Sequence, residues 1–279
     1  MPDLAHLRSW IGREEIAHDV AGAGPLAGLA ALLDREQPFA QSLPPLAHWL
    51  YFLPYVRQSL IGADGHPLRG GFLPPVPLPR RLWAGGRIRF VTPIGLGARM
   101  QRRSVIDEIK RKSGASGDLV FVTLRHEISA DGELALVEEQ DLVYRGEQGE
   151  ARPEAATEAR RTADREEIVS VDPVQLFRFS ALTFNSHRIH YDRDYARVVE
   201  GYRGLVVHAP LLATLLVHFW LAQDSSAPIR NFSFRALQPL LDDAPFALCL
   251  KRRIAGGELW TRDHAGRETM RAELDCAPG

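Results

Sequence analysis

The feature that most constrains the fold of this 279-residue chain is a plan that occurs twice, a helical region followed by strands. In the first half, a predicted helix at 21–36 precedes an alternating apolar pattern over 87–145, which indicates an antiparallel meander. The second half repeats this order without a clear residue-level repeat. Between them, the stretch 147–166 is charged, rich in Ala and almost without large apolar residues. The sequence therefore predicts an α+β chain with domains at 1–146 and 167–279 joined by a linker at 147–166.

Gly and Pro dominate the segment 62–86, GADGHPLRGGFLPPVPLPRRLWAGG. We predict that it forms neither a helix nor a central strand, because Pro removes a backbone donor and Gly weakens regular structure. Its length and its Arg and Trp residues favour an ordered, functional loop over a tether. The predicted strands are 87–93, 101–112, 118–129, 133–145, 167–172, 229–236, 246–253, 259–263 and 268–274, and the predicted helices are 21–36, 173–181, 192–200 and 208–223.

Charge and cysteine content narrow the class of protein. The chain has 34 Lys and Arg against 35 Asp and Glu, so its net charge of −1 provides no general attraction to nucleic acid or anionic membrane. Two cysteines without Cys-x-x-Cys spacing argue against a zinc module or a disulfide framework. The first residues do not resemble a secretory signal, and the longest apolar run is too short to span a bilayer comfortably. We expect a cytoplasmic, enzyme-sized protein with no nucleic-acid or membrane partner.

One short polar motif stands out within an apolar stretch. Asn185, His187 and His190 lie within six residues of FSALTFNSHRIHYD, and a nearly all-apolar run follows at 205–221. Imidazoles titrate near neutrality, so this pattern indicates proton transfer in a dry pocket. The residues alone leave bland alternatives open: Asn185 holds a turn, and a partly buried His190 caps the next helix.

The sequence HRIHYDRDYA, followed by YRGLVVHAPLLATLL, is similar to the MaoC-like, type 2 enoyl-CoA hydratase family, whose signature is G-D-x-N-P-I/L-H-x-D. That resemblance implies a hotdog fold, in which a curved antiparallel sheet wraps one long helix. RGGFLPPVPLPRRLWAGGRIRF and the FNSHRIHYD variant resemble the fused members, which include mesaconyl-CoA (itaconyl-CoA) hydratases and 3-hydroxyacyl-thioester dehydratases. The resemblance implies a double hotdog with a catalytic C-terminal domain and a non-catalytic N-terminal domain that shapes the acyl pocket.

The resemblance also implies roles for individual residues. His190 falls on the family's catalytic histidine and is expected to act as general acid/base. Asn185 falls on the family's catalytic aspartate; an amide cannot titrate, so we expect it to position water. His187 is a second acid/base candidate or an orienting partner. The backbone N–H of Ala209, at the start of the buried helix, is expected to bind the thioester oxyanion, and Asp192 is expected to cap the helix that follows it.

Substrate-binding candidates are Arg80, Arg81, Trp83, Arg188 and His208. Coenzyme A carries phosphates and a dicarboxylic acyl group carries a second carboxylate, and Arg binds either well. Most surface arginines are merely solvated, so these assignments are hypotheses.

The predicted function is reversible hydration and dehydration of a short enoyl-CoA or 3-hydroxyacyl thioester. By resemblance, the favoured substrate is a C5 dicarboxylyl-CoA, mesaconyl- or itaconyl-CoA. We expect no metal and no cofactor beyond the coenzyme A of the substrate, although His187, His190 and Asp192 are a conceivable metal set. A homodimer or higher homo-oligomer is expected. The alternatives are a hotdog acyl-CoA thioesterase and a non-catalytic hotdog subunit that binds an acyl chain or a partner.

Overall fold

The computed structural model describes residues 3–36, 39, 41–114, 117–146, 161–223 and 227–277, and these residues form one ten-stranded antiparallel sheet. Most strands coincide with the predicted ones within a few residues, and three do so at both ends. The strands are β1 (Glu14–Val20), β2 (Arg80–Phe90), β3 (Arg99–Gly114), β4 (Gly117–Ala130), β5 (Glu133–Arg145), β6 (Arg165–Val169), β7 (Ile229–Ala236), β8 (Phe246–Arg253), β9 (Gly256–Arg262) and β10 (Glu268–Cys276).

The strand order reveals an internal repeat that the residues do not show. Across the sheet the order is β1-β3-β4-β5-β2-β7-β10-β9-β8-β6. From each outer edge to the centre, both halves therefore have the same topology, with β1 to β5 matching β6 to β10. The halves meet where β2 pairs with β7, in a register that runs from Gly85 opposite Arg235 to Arg89 opposite Asn231. The predicted α+β class with two helix-then-strand halves is confirmed.

The helices differ between the halves. They are α1 (Leu4–Arg8), α2 (Ala23–Leu32), α3 (Pro173–Leu182) and α4 (Ala209–Leu221). As predicted from its all-round apolar sequence, α4 is the buried helix: Leu211, Ala213 and Leu216 are fully buried, and it packs against β2, β8, β9 and β10. The helix α2 packs on α3 instead, and the described residues 41–79 contain two 3₁₀ turns but no counterpart of α4. No helix of the described residues is both long and apolar enough to cross a membrane.

The prediction that 62–86 excludes a central strand is wrong for its last residues, because β2 begins at Arg80 and lies at the centre of the sheet. The glycines that suggested a loop instead allow close packing. A Cβ on Gly85 would lie 2.5 Å from the carbonyl oxygen of Phe234, and one on Gly86 would lie 2.8 Å from that of Glu139. Here glycine permits the β2–β7 junction, so its presence marks a close backbone approach.

Three further segments differ from the predictions. The strand β1 was not predicted, because it is a largely exposed edge strand of polar sequence, EEIAHDV. The predicted linker 147–166 overlaps β6, which begins at Arg165, and its residues 147–160 lie outside the described residues. The predicted helix at 192–200 is a π-helical turn, Tyr195–Val199. The division into two domains stays a prediction.

Candidate active site

The polar motif of the second half lines a large cavity that both halves enclose. The cavity has a volume of about 2020 Å³. From the second half it is lined by Asn185, His187, His190, His208 and Ala209, and from the first half by His66, Arg81 and Trp83 among others. The structure thus brings together most of the predicted site residues and adds one that sequence reasoning missed.

The end of α3 sets the position of the motif. The carboxylate of Asp172 caps the helix by accepting from the Gln175 N–H at 2.7 Å, as predicted. Phe184 adopts a left-handed conformation, φ 48°, and turns the chain out of the helix. The side-chain oxygen of Asn185 then accepts from the His187 N–H at 3.0 Å. Asn185 therefore holds a turn, as the bland alternative expected, and its water-positioning role stays a prediction for its remaining donors and lone pair.

The imidazole of His190 is anchored at one nitrogen and free at the other. Its Nδ1 lies 2.7 Å from the carbonyl oxygen of Val206, which can only accept, so the proton is on Nδ1 and Nε2 carries a lone pair. The residue is buried within the lining of the cavity, and no described residue bonds its Nε2. Burial lowers its pKa to about 4, partly opposed by the Val206 hydrogen bond, so His190 is a neutral base at neutral pH.

His208 and Ala209 form the start of α4 beside His190. The His208 ring stacks on that of His190, with centroids 3.6 Å apart, and its Nε2 lies 2.8 Å from Ser180 Oγ. The Ala209 N–H is the first of the helix, and none of the described residues accepts a hydrogen bond from it. Pro210 has no N–H to offer. A free donor at a helix N-terminus that lines the cavity is suited to a developing oxyanion, and the oxyanion role of Ala209 stays a prediction.

His187 is enclosed by two other histidines. Its ring centroid lies 4.0 Å from that of His66 and 5.4 Å from that of His190. Burial lowers the pKa of His187 to about 2, so it is neutral between them. His66 in turn is bonded to Asp64, Nδ1 to Oδ2, at 2.9 Å. Sequence reasoning missed both residues, because an Asp-Gly-His run in a Gly- and Pro-rich segment is typical of a turn.

The remaining substrate-binding candidates, three arginines and Trp83, separate into two groups. Arg81 and Trp83 line the cavity, whereas Arg80 and Arg188 do not. The Arg80 Nε lies 3.2 Å from a Glu200 carboxylate oxygen. Arg188 donates to Asp192 at 2.7 Å and 3.0 Å and to the Ala63 carbonyl at 3.1 Å. The expectation that Arg80 and Arg188 bind substrate finds no support in this geometry, since carboxylates of the chain already hold both guanidinium groups.

Asp192 has the capping position expected of it. Its second oxygen accepts from the Tyr195 N–H at 2.9 Å, at the start of the π-helical turn. Together with its bonds to Arg188, this fixes the segment that follows the motif.

Comparison with known proteins identifies the family. The family model described as "Hydroxyacyl-thioester dehydratase type 2" matches residues 46–242. Mesaconyl-C(4)-CoA hydratase of Chloroflexus aurantiacus is 50% identical over 86% of this chain and 87% of its own. The mitochondrial hydroxyacyl-thioester dehydratase type 2 of Schizosaccharomyces pombe is 26% identical over 88% of this chain and 91% of its own.

Solved structures show the same fold. A MaoC-like dehydratase from Phytophthora capsici matches with a TM-score of 0.70 at 14% identity, covering 99% of this chain and 98% of its own. HtdX of Mycobacterium tuberculosis matches with a TM-score of 0.68 at 17% identity, covering 95% and 100%. The double-hotdog prediction is thereby confirmed. The chain belongs to the hydroxyacyl-thioester dehydratase type 2 family and is a MaoC-like hydro-lyase.

Proposed function

We propose that this chain hydrates a C5 unsaturated dicarboxylyl-CoA, mesaconyl- or itaconyl-CoA, and catalyses the reverse dehydration. The observation that carries the proposal is the pairing, in one cavity, of the anchored base His190 with the free N–H of Ala209. The C5 substrate is suggested by the mesaconyl-C(4)-CoA hydratase at 50% identity.

The pairing performs the two tasks that hydration of an enoyl thioester requires. The Ala209 N–H donates a hydrogen bond to the thioester oxygen and stabilises the negative charge that develops there. The Nε2 lone pair of His190 takes a proton from water as the water oxygen bonds to C3. In the reverse direction the protonated Nε2 returns that proton to the departing 3-hydroxyl. The Asn185 amide orients the water and itself stays neutral throughout the reaction.

Arg81 is suited to the second carboxylate of such a substrate. It is half-buried in the cavity lining, and no carboxylate of the described residues lies within ion-pair distance of it. Its positive charge contributes to the lowered pKa of both His66 and His187. A guanidinium in this setting binds a carboxylate through charge-assisted hydrogen bonds. Trp83, on the same strand, also lines the cavity, and we expect it to contact the acyl group.

The substrate assignment is tested with Arg81→Gln. Loss of a charged hydrogen-bond partner costs about 1.5–3 kcal/mol, so KM for mesaconyl-CoA should rise about 10- to 100-fold. KM for crotonyl-CoA, which lacks the second carboxylate, should change little. Arg89→Gln is the matched control, because Arg89 is exposed on the same strand and does not line the cavity. Equal effects of Arg81→Gln on both substrates would contradict the carboxylate subsite.

The reaction itself is tested by incubating the purified protein with mesaconyl-, itaconyl- and crotonyl-CoA and following the loss of enoyl-thioester absorbance. His190→Gln should lose about 100-fold or more in kcat. Wild-type turnover by that variant would overturn the role of His190. Release of free thiol would instead identify a thioesterase, and binding without turnover would identify the non-catalytic alternative. The cytoplasmic location and the homo-oligomeric state stay predictions.

A further inference from the structure

We propose that Asp64 and His66, from the N-terminal half, form a second acid/base pair of this active site and supply the titratable function that Asn185 lacks. The proposal rests on the hydratase function proposed above. It assigns a catalytic role to a half of the chain from which the sequence predicted only the shape of the acyl pocket.

The loop that carries the pair is fixed onto the catalytic motif. Ser186 Oγ donates to the Gly65 carbonyl at 2.5 Å, and the Arg188 N–H donates to the Asp64 carbonyl at 2.9 Å. The Arg188 guanidinium donates to the carbonyl of Ala63 at 3.1 Å. Gly65 has φ +89°, and a Cβ there would lie 1.8 Å from the Ser186 carbonyl oxygen. These contacts hold the loop in one position, as an active-site group requires.

Within the loop, Asp64 orients His66 completely. The Asp64 Oδ1 accepts from the His66 backbone N–H at 3.0 Å, and Oδ2 accepts from its Nδ1 at 2.9 Å. The proton is therefore on Nδ1, and no described residue bonds Nε2. His190 is held in the same way, by Nδ1 with Nε2 free, but on a neutral carbonyl. His187 lies between these two rings, so three imidazoles follow one another along the wall of the cavity.

The Asp64 carboxylate gives a protonated His66 a counter-charge, which distinguishes it from the other anchored histidine, His190. Burial alone would raise the pKa of Asp64, but the hydrogen bonds and charge of His66 bring it well below its usual range, so Asp64 is ionised at neutral pH. Burial, together with the charges of Arg81 and Arg69, holds the pKa of His66 below its usual value, while the hydrogen bond and the charge of Asp64 oppose that lowering. For His190 the opposing contribution comes only from the Val206 carbonyl. An imidazolium at His66 thus has a stabilising counter-charge that one at His190 lacks.

Two proton transfers accompany hydration, and the two histidines divide them. The water oxygen bonds to C3 and its proton passes to His190 Nε2, while the C2=C3 electron pair moves toward the thioester oxygen held by Ala209. When that pair returns to C2, the imidazolium of His66 gives C2 its proton. Proton transfer from His190 to His66, by way of His187 or solvent water, restores the starting state. Dehydration follows the same steps in reverse.

A metal site is the competing interpretation of the same residues. Ligand atoms of Asp64, His66 and His187 lie within 4.8 Å of one another, a grouping that differs from the set considered from the sequence. However, both Asp64 oxygens already accept hydrogen bonds from His66, so the carboxylate is used to orient that ring. The observed bonding therefore favours the acid/base pair.

Asp64→Asn and His66→Gln test the pair, with mesaconyl-CoA as substrate and His18→Gln as control. His18 lies in the same half, is exposed and does not line the cavity. His66→Gln should lower kcat about 100-fold or more. Asp64→Asn retains the shape of the loop, so it should lower kcat less, about 10- to 100-fold, and move the alkaline limb of the kcat/KM profile to lower pH. A structural role of Asp64 would lower activity without moving that limb.

The outcomes separate this proposal from the one on which it rests. An inactive wild-type protein on all three CoA esters would refute the hydratase function. An active wild type with an inactive His190→Gln, but with full kcat and an unchanged pH profile in Asp64→Asn, would refute the pair alone. Loss of wild-type activity on chelation, restored by Zn²⁺, would establish the metal site instead. If His66→Gln does not fold, the pH profile of Asp64→Asn decides the matter.

Discussion

Gly65→Ala is a direct test of whether catalysis depends on the position of the loop that carries Asp64 and His66. Gly132→Ala is its matched control. Both glycines have nearly the same left-handed backbone, φ +89° for Gly65 and φ +91° for Gly132. A Cβ on Gly132 meets nothing within 4 Å, whereas one on Gly65 would lie 1.8 Å from the Ser186 carbonyl oxygen. The two variants therefore share the backbone strain and differ in the contact with the catalytic motif.

The expected losses of stability follow from this difference. A left-handed conformation costs a non-glycine residue about 1–2 kcal/mol, which applies to both variants. In Gly65→Ala the Ser186 oxygen and the new Cβ must also separate from 1.8 Å to at least 3.0 Å. That movement breaks the Ser186–Gly65 and Arg188–Asp64 hydrogen bonds, each worth about 1 kcal/mol. Gly65→Ala should therefore be less stable than Gly132→Ala by about 2 kcal/mol in urea unfolding.

The expected loss of activity is larger than the loss of stability suggests. The same movement displaces His66 by about 1 Å, and a displacement of that size costs about 100-fold in rate when the group takes part in the chemistry. Gly132→Ala, in the turn between β4 and β5, should keep wild-type kcat. Equal stability of the two variants would refute the close contact. Lower stability of Gly65→Ala with wild-type kcat on mesaconyl-CoA would show that the loop is structural and that His66 takes no part in catalysis.

Further predictions concern the buried charge of the first half and the pH dependence. Glu138 is buried and accepts from His48 at 3.2 Å and Trp49 at 2.8 Å, so Glu138→Ala should cost about 3–5 kcal/mol in urea unfolding. The substitution Glu139→Ala, at the half-buried neighbour whose carboxylate pairs with Arg87 at the surface, should cost about 1 kcal/mol or less. Burial would raise the pKa of Glu138, but His48 and the other hydrogen-bond donors lower it to about 2. The ionised carboxylate therefore stabilises the fold above the unfolded pKa of 4.5, and this stabilisation is lost as pH falls toward 2. Acid titration at a fixed urea concentration measures the loss. Since the unprotonated Nε2 of His190 accepts the proton of water, the acid limb of kcat/KM should report the depressed pKa of His190, about 4; an acid limb near 6.5 would contradict it.

The sequence predicts this fold where the determining pattern is local. The strands β5, β7 and β8 have the predicted ends, because alternation and turn residues act within each strand. The helix α4 and the Asp172 cap are equally local features. The failures are non-local: β1 is an edge strand whose partner is β3, and the glycines of β2 are required by close contacts with Phe234 of β7 and Glu139 of β5.

The same difference between local and non-local features applies to the candidate site. Placement of Asn185, His187, His190 and Ala209 together follows from one motif and the helix that comes after it. The pairing of Ser186 with Gly65 joins residues 121 positions apart, and no periodicity within either segment signals it. A usable signal was present in the Asp-Gly-His run, because its histidine sits in a segment long enough to be an ordered loop.

The shared topology of the two halves explains why the first half can reach this site. Each half has the same strand order, yet α4 has no counterpart in the described residues 41–79 of the first half. There the chain forms turns, and one of them places His66 in the lining of the cavity with Asp64 hydrogen-bonded to it. A carboxylate at 185 is then no longer required for proton transfer, because an ionised carboxylate acts from the opposite half through His66. Asn185→Asp alone should therefore not raise kcat. Added to Asp64→Asn, it should partly restore activity if the two carboxylate positions perform the same task. The kcat values of the two single variants and of the double variant measure this directly. A double variant no more active than Asp64→Asn would show that the two carboxylate positions are not interchangeable.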